Sequence, residues 1–368
     1  MIFKNCQALS LDNVESFLED INSDLDALTI HNCQLFDDEC AAKISEHCTK
    51  LSRISFTGCC KVLTSVGISS FIKNCPNLKC VTIMSTESDD DNDSNNNDDE
   101  RSWTLGDDLF ASFLQRTDLI LEQFALSGFE NVTTNALKHF LEHVGSNIKV
   151  LDLSELQAIT DEVIEKVVDT CPSLEDVCLS HCKLTDQGIN RFCAKCRALQ
   201  SVNFSGCQDI TDDSVIALST NCSSLRKVQL SWCVKLTEKS LDALVTNCQD
   251  LTFVDMSQCT IRHLPFEILE HFSLQEIKVE GCKGLRCPPL DIANKGLESC
   301  RQFLKKCNLQ SLCRMTFLGN QGSGKTSLML SLPTMSQSVA DTSTEGVHVG
   351  TWRPFKSGKG WRYFPVII

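Results

Sequence analysis

A nine-residue phrase occurs twice within residues 199–233, which read LQSVNFSGCQDITDDSVIALSTNCSSLRKVQLSWC. The first copy begins at Leu199 and ends at Cys207, and the second begins at Leu225 and ends at Cys233. In each copy, apolar residues alternate with variable ones, which is typical of a short β-strand with one buried face. The return of the phrase after 26 residues indicates an array of structural repeats.

The same phrase continues along most of the chain. Further clear copies begin at Leu51, Leu174 and Leu251. Weaker copies begin at Leu25, Leu78, Leu121, Ile148 and Leu274. Successive copies are 23 to 27 residues apart, except for one step of 43 that contains the acidic tract STESDDDNDSNNNDDE at residues 85–100. We therefore predict a disordered insertion over residues 85–101 within one repeat.

This pattern resembles that of leucine-rich repeats, and in particular the cysteine-containing subclass of F-box adaptor proteins and some larger intracellular receptors. Four threonines stand where the repeat helices are expected to begin, each followed by an acidic residue that the helix dipole favours. They are Thr160, Thr185, Thr211 and Thr237. The resemblance covers residues 1–282 and implies an α/β solenoid, a horseshoe with parallel strands on its concave face.

The 23 cysteines of the chain are best explained as reduced, buried thiols. Met1 begins no secretory leader, and no apolar run approaches 18 residues, so neither a secreted disulfide scaffold nor a membrane-spanning protein is expected. Cys193 and Cys196 have the spacing of zinc ligands, but Cys196 is the ordinary repeat cysteine and no second pair lies at a suitable distance. We predict a soluble, cytoplasmic protein without a thiolate metal site.

The charge of the chain argues against a nucleic-acid partner. The 48 acidic and 34 basic side chains give a net charge of −14, and eight of the acidic residues lie in the tract at residues 85–100. Binding to a phosphate backbone requires a basic surface, which this composition does not supply. A protein partner is the more natural expectation.

The solvent-facing strand positions form the predicted partner surface. In such a solenoid, the variable residues beside each buried apolar pair are free to contact a protein. Trp232 and Phe253 stand out, because exposed aromatics on a rigid face make strong interface anchors, although the alternative that they pack on each other is open. The candidate partner-binding residues are Asp176, His181, Asn203, Lys227, Gln229, Trp232, Phe253 and Asp255.

The chain changes character after residue 260. The next repeat step shortens to 23 residues, and Pro288 and Pro289 precede a segment whose apolar residues are suited to covering the open end of a repeat array. We therefore predict a cap and linker over residues 283–312.

A glycine-rich motif follows this cap. Residues 314–318 (RMTFL) predict a short strand, residues 319–327 read GNQGSGKTS, and residues 328–332 (LMLSL) are helix-like. The motif GxxxxGK[ST] in this setting predicts a phosphate-binding loop, in which backbone amides surround phosphate, Lys325 adds positive charge and the Thr326 hydroxyl holds Mg²⁺. The predicted nucleotide-binding residues of the loop are Gly319, Gly322, Ser323, Gly324, Lys325, Thr326 and Ser327.

The cap and the loop together resemble the Roco family, in which repeats lead into a Roc GTPase domain. The resemblance implies that Thr344 lies in switch I and senses the γ-phosphate through Mg²⁺, so GTP or GDP with Mg²⁺ at Thr326 and Thr344 would be the cofactors. It also implies a hairpin tip at residues 353–362 and a returning strand at residues 363–368. Neither an Asp-x-x-Gly element nor a guanine-reading Asn/Thr-Lys-x-Asp element follows Gly319.

Residues 313–368 are therefore expected to form a truncated, partial P-loop GTPase α/β fragment that performs no catalysis by itself. The resulting hypothesis is a Roco-like scaffold that binds a protein partner and is switched by guanine nucleotide only in a longer form. The alternative is an F-box-like substrate adaptor of a ubiquitin ligase, against which stand the phosphate loop and the lack of an F-box-like segment before Leu25. An immune-type receptor with an ATPase fits Thr344-Glu345-Gly346 less well.

Overall fold

The structure is a computed structural model of the chain, and it describes residues 1–6, 10–20, 23–59, 62–85, 105–309, 313–318 and 347–352. The chain divides into two compact units, Met1–Leu297 and Glu298–Ile368. All of the predicted acidic insertion except Ser85 lies outside the described residues, as do the phosphate loop at residues 319–327 and Thr344. Predictions that fall on those residues stay predictions.

Within its described residues, the first unit contains an 11-stranded parallel sheet in which each strand pairs with the next along the chain. The strands are β1 (Ile2–Lys4), β2 (Ala27–His31), β3 (Arg53–Thr57), β4 (Cys80–Met84), β5 (Gln123–Ser127), β6 (Val150–Asp152), β7 (Asp176–Cys178), β8 (Ser201–Asn203), β9 (Lys227–Gln229), β10 (Phe253–Asp255) and β11 (Glu276–Lys278). This strand order confirms the α/β repeat architecture.

Most strands are followed by a turn and a helix. The α-helices are α1 (Leu11–Asp20), α2 (Asp38–His47), α3 (Ser65–Asn74), α4 (Leu109–Gln115), α5 (Thr134–Val144), α6 (Asp161–Thr170), α7 (Asp186–Lys195), α8 (Asp212–Asn221), α9 (Glu238–Asn247), α10 (Leu290–Ala293) and α11 (Leu297–Leu309). A 3-10 helix at Phe266–Leu269 takes the place of an α-helix after β10, where the repeat step shortens. Another 3-10 turn, Gly145–Asn147, follows α5.

The core consists of equivalent residues stacked from repeat to repeat. Val177, Val202, Val228 and Val254 stand opposite one another in register, and all four are fully buried. Burying an aliphatic side chain of this size contributes about 1.5–3 kcal/mol. Because each position recurs in nearly every repeat, one sequence pattern produces a continuous core.

Threonines link several helices to the previous repeat. The side chains of Thr185, Thr211 and Thr237 accept a hydrogen bond from a backbone N–H of the helix that follows. The Thr211 hydroxyl also donates to Asp186 in the preceding helix at 2.7 Å. Thr160 occupies the same N-cap position but makes no side-chain cap bond. The predicted helix starts are therefore correct at all four positions, while the capping bond forms at three.

In several repeats, the cysteine after the strand donates to a carbonyl of the previous repeat. The Sγ atoms of Cys207, Cys233 and Cys259 lie 3.2, 3.1 and 3.1 Å from the backbone oxygens of Leu179, Phe204 and Leu230. Burial raises the pKa of the Cys207 thiol to about 11 and that of Cys259 to about 12. These thiols are free and neutral, as predicted.

Cys193 and Cys196 are likewise buried. Within the described part of the chain, no group of three or more His, Cys, Asp or Glu side chains is placed to hold a metal ion. Likewise, none of the helices described combines the length and the apolar character that a membrane crossing requires.

The second unit contains strands β12 (Cys313–Leu318) and β13 (Val347–Trp352), which pair antiparallel with Leu318 opposite Val347. The strand predicted at residues 314–318 is confirmed. β13 begins three residues after Thr344, which the Roco resemblance assigns to switch I. The predicted hairpin tip and the strand at residues 363–368 lie outside the described residues.

Candidate protein-binding face

Six of the eight candidate residues stand in two neighbouring rows on the sheet. The register places Asp176, Ser201, Lys227, Phe253 and Glu276 side by side in the first row. The second row, two residues further along each strand, contains Cys178, Asn203, Gln229, Asp255 and Lys278. Strands in a sheet lie about 4.8 Å apart, so each row is a contiguous line of side chains. We call these two rows the strand face.

Phe253 is held between two lysines on this face. The Nζ atom of Lys227 lies 5.7 Å from the centroid of the Phe253 ring, and the Nζ atom of Lys278 lies 5.6 Å from it. Such contacts are attractive through the ring quadrupole by about 0.5–1 kcal/mol at exposed sites. Lys278 was not identified from the sequence, because its row becomes visible only when the strands are aligned.

Trp232 does not pack on Phe253. Phe253 stands opposite Lys227 on β9, whereas Trp232 lies beyond the end of β9, in the corner before Cys233. No ring contact between the two aromatics occurs among the described residues. Trp232 is exposed and Phe253 is half-buried, so the two side chains are separate features of the surface and the alternative left open by the sequence is not realised.

Asn203 and Asp255 also serve the fold. The Oδ1 atom of Asn203 accepts the backbone N–H of Ser205 at 3.0 Å, and Oδ1 of Asp255 accepts that of Ser257 at 2.9 Å. Each bond closes the corner at the end of its strand. One acceptor of each side chain is thus engaged within the repeat, and their predicted role in binding is shared with a structural one.

His181 and Trp232 occupy a different position, the corner residue directly before the repeat cysteine. Both have left-handed backbones, with φ of 57° and 62°. The equivalent residues with positive φ are Asn5, Asn32, Gly58, Gly128, Glu155, Gly206, Gln258 and Gly281. The N–H of Trp232 donates to the Ser257 oxygen at 2.9 Å, and that of His181 to the Ser205 oxygen at 2.7 Å. These cross-repeat bonds fix the corner whatever side chain it carries.

The His181 side chain lies over the next corner. A Cβ atom added at Gly206 would lie 2.4 Å from Nδ1 of His181. Gly206 itself has φ of 73°, so two separate features favour glycine there. His181 is exposed, but its ring rests against the neighbouring repeat.

Trp232 is the largest side chain in the corner row. It is 55% exposed, and Val234 on the same turn is 48% exposed. We call these two residues the edge patch. A bulky residue with positive φ is conformationally costly by about 1–2 kcal/mol, and most other corners carry Gly, Asn or another polar side chain. The fold alone gives no reason for an aromatic at this corner.

Asp242 has a raised pKa and could not be identified from the sequence. Its Oδ1 atom is buried and accepts no hydrogen bond among the described residues. Burial raises the pKa of Asp242 to about 6; His263 lowers it, while the carboxylates of Glu267, Glu238 and Asp212 raise it further. Asp242 lies on α9 and is not one of the strand-face residues, so it does not extend the candidate site.

Comparison with known proteins bears on what these repeats are. A family model described as "Leucine Rich repeat" matches residues 195–219, which span the end of α7, β8 and most of α8. The matched segment, which spans one repeat period, is thus similar to a leucine-rich repeat. Thus the resemblance stated from the sequence is confirmed at this level.

Curated relatives add a more specific similarity. F-box/LRR-repeat protein 5 of Xenopus tropicalis is 31% identical over 88 residues, which make up 23% of this chain and 13% of the relative. The proteins of the same name from Xenopus laevis and Mus musculus are 33% and 26% identical over 85 residues, or 12% of their length. The chain therefore matches about an eighth of the length of these relatives. None of these matches supports a Roc GTPase domain.

Solved structures show a distant similarity of fold. A structure of Rad7 and Elc1 in complex in yeast has a TM-score of 0.38 and 17% identity, and the match covers 69% of this chain and 77% of that one. A complex of TLR13 with ssRNA13 has a TM-score of 0.40 and 16% identity, covering 72% and 42%. Similarity at this level carries no functional argument.

Proposed function

We propose that this leucine-rich repeat chain is a protein-binding scaffold and that its strand face, together with the edge patch, contacts the partner. The observation that carries this proposal is Trp232, an exposed aromatic on a backbone that a cross-repeat hydrogen bond holds in a costly conformation. Buried aromatics near the centre of an interface account for much of its binding energy. The free thiols fit a reducing compartment, and we place the protein in the cytoplasm.

The proposal is tested by quantitative affinity purification with substituted baits. Trp232→Ala and Phe253→Ala are expected to lower recovery of the bound partner at least about tenfold each, which corresponds to about 1.4 kcal/mol. Ile216→Ala is the matched control, because Ile216 on α8 is also an exposed apolar side chain, at 39%. Equal recovery with all three baits would refute the proposed face.

The curated relatives favour one setting for this binding. Their names combine an F-box with leucine-rich repeats, so we propose that the partner is the substrate of an F-box-like ubiquitin-ligase adaptor. Coexpression with the chain should then shorten the half-life of the partner, and a proteasome inhibitor should restore it. A partner that binds through the strand face but keeps its half-life would indicate a scaffold without this role.

Guanine-nucleotide binding, the other part of the Roco hypothesis, rests on the sequence motif at residues 319–327 and on Thr344. Titration with a fluorescent guanine nucleotide tests it directly. Mg²⁺-dependent binding that Lys325→Ala abolishes would support a nucleotide site. Binding that is absent, or that survives this substitution, would count against it.

A further inference from the structure

The basic residues of the strand face are concentrated at one point. From β7 to β11, the solvent-facing positions of its two rows carry two basic side chains, Lys227 and Lys278. Both place their Nζ atoms within 5.7 Å of the Phe253 ring centroid, although they belong to strands on either side of it. Two ammonium groups therefore converge on one aromatic ring.

The acidic residues nearby only partly neutralise this charge. Oδ1 of Asp255 accepts the N–H of Ser257, and Glu276 pairs with Lys278 at 3.9 Å. Lys227 is exposed, and no carboxylate among the described residues lies within ion-pair distance of its Nζ atom. The cluster thus offers an apolar ring beside an ammonium group that has no counter-ion in the described structure.

We propose that Lys227, Phe253 and Lys278 bind an acidic peptide segment of the partner, with an Asp or Glu carboxylate on the unpaired Lys227 ammonium group and an adjacent apolar side chain on the ring. This inference rests on the proposed protein-binding function and specifies its chemistry. The carboxylate supplies the missing negative charge, and the ring supplies apolar contact area. Complementary charge of this kind governs specificity and association rate.

A random dodecapeptide library displayed on phage and selected on the full chain tests the inference. Enriched peptides should carry Asp or Glu next to an aromatic or aliphatic residue. Binding of the most enriched peptide, measured by fluorescence anisotropy, should fall about tenfold or more with Lys227→Glu and with Phe253→Ala. It should persist with Lys227→Arg, and it should weaken as salt concentration rises.

Lys183→Glu is the matched control, because Lys183 is an exposed lysine outside the strand face. The inference would be overturned if basic peptides were enriched or if no peptide were enriched. It would also be overturned if Lys227→Glu left the binding of the enriched peptides unchanged. A further outcome is that the enriched peptides lack an acidic residue and yet lose binding with Trp232→Ala. That result would overturn the inference and leave the proposed function intact. Loss of the proposed function itself would appear separately, as unchanged partner recovery with the Trp232→Ala and Phe253→Ala baits.

Discussion

At each repeat corner, the residue type is explained either by the left-handed backbone or by the surface that the side chain faces. Gly206 and Trp232 occupy the same corner in neighbouring repeats, with φ of 73° and 62°. Glycine adopts this conformation freely, whereas tryptophan does so at a cost. We infer that glycine occurs at position 206 because it adopts the left-handed backbone without cost. Tryptophan occurs at position 232 because of its role on the surface.

Replacing Gly206 by alanine should therefore destabilise the chain. We expect Gly206→Ala to lower the free energy of unfolding by about 1–2 kcal/mol. Alanine adopts the left-handed φ at a cost, and its Cβ atom would clash with the His181 ring. Urea denaturation measures this. A double variant that also carries His181→Ala separates the two causes: partial recovery identifies the ring contact, and no recovery identifies the backbone. Unchanged stability of the single variant would contradict the corner geometry.

Asp242 gives stability a specific dependence on pH. Because its pKa in the folded chain is raised to about 6 from an ordinary 3.8, the folded state binds this proton more tightly than the unfolded state between these pH values. Its contribution is therefore present below about pH 4 and is lost as pH rises through about 6.

Asp242→Asn should accordingly raise the free energy of unfolding by about 1–2 kcal/mol at pH 7 and leave it almost unchanged at pH 4. Comparing the two proteins at each pH cancels the opposite effect of carboxylates elsewhere whose pKa is lowered, such as Glu122. Equal stability of variant and parent at pH 7 would show that the Asp242 carboxylate is adequately solvated.

At the scale of elements, the helices depend on bonds that cross from one repeat to the next. Thr211 caps α8 and donates to Asp186 of α7, whereas Thr160 at the start of α6 makes no cap bond. We expect Thr211→Ala to cost about 1–2 kcal/mol of unfolding free energy and Thr160→Ala to cost less. Thermal denaturation of the two variants gives the comparison. Equal losses would mean that neither the cap bond nor the cross-repeat bond of Thr211 adds stability.

The elements themselves could be predicted from the sequence, since alternating apolar residues and four N-cap threonines are local signals. The register could not, because it depends on which residues of successive repeats become neighbours. For that reason Phe253 was identified as an exposed aromatic while its contact with Lys278 was missed. Similarly, Asn203 was predicted to bind a partner, whereas its bond to Ser205 depends on the corner geometry. Asp242 was missed because burial between repeats has no local signature.

At the scale of the whole molecule, a core of repeated residues supports a surface whose residues vary. In an array of this kind each repeat contacts its neighbours, so stability accumulates from similar interfaces. The solvent-facing rows are free of that constraint. The strand face and the edge patch therefore vary from repeat to repeat: Lys227, Phe253 and Lys278 lie on β9, β10 and β11, and Trp232 lies in the corner after β9. For this reason we propose the strand face, with the edge patch, as the recognition surface.

Site-specific photo-crosslinking in cells tests this central claim most directly. A benzophenone amino acid is placed at Gln229 on the strand face, at Val234 in the edge patch, or at Ile216 on α8 as the control. We expect partner adducts from positions 229 and 234 and none from position 216. Adducts from position 216 alone would contradict the claim and place the binding surface on the helices.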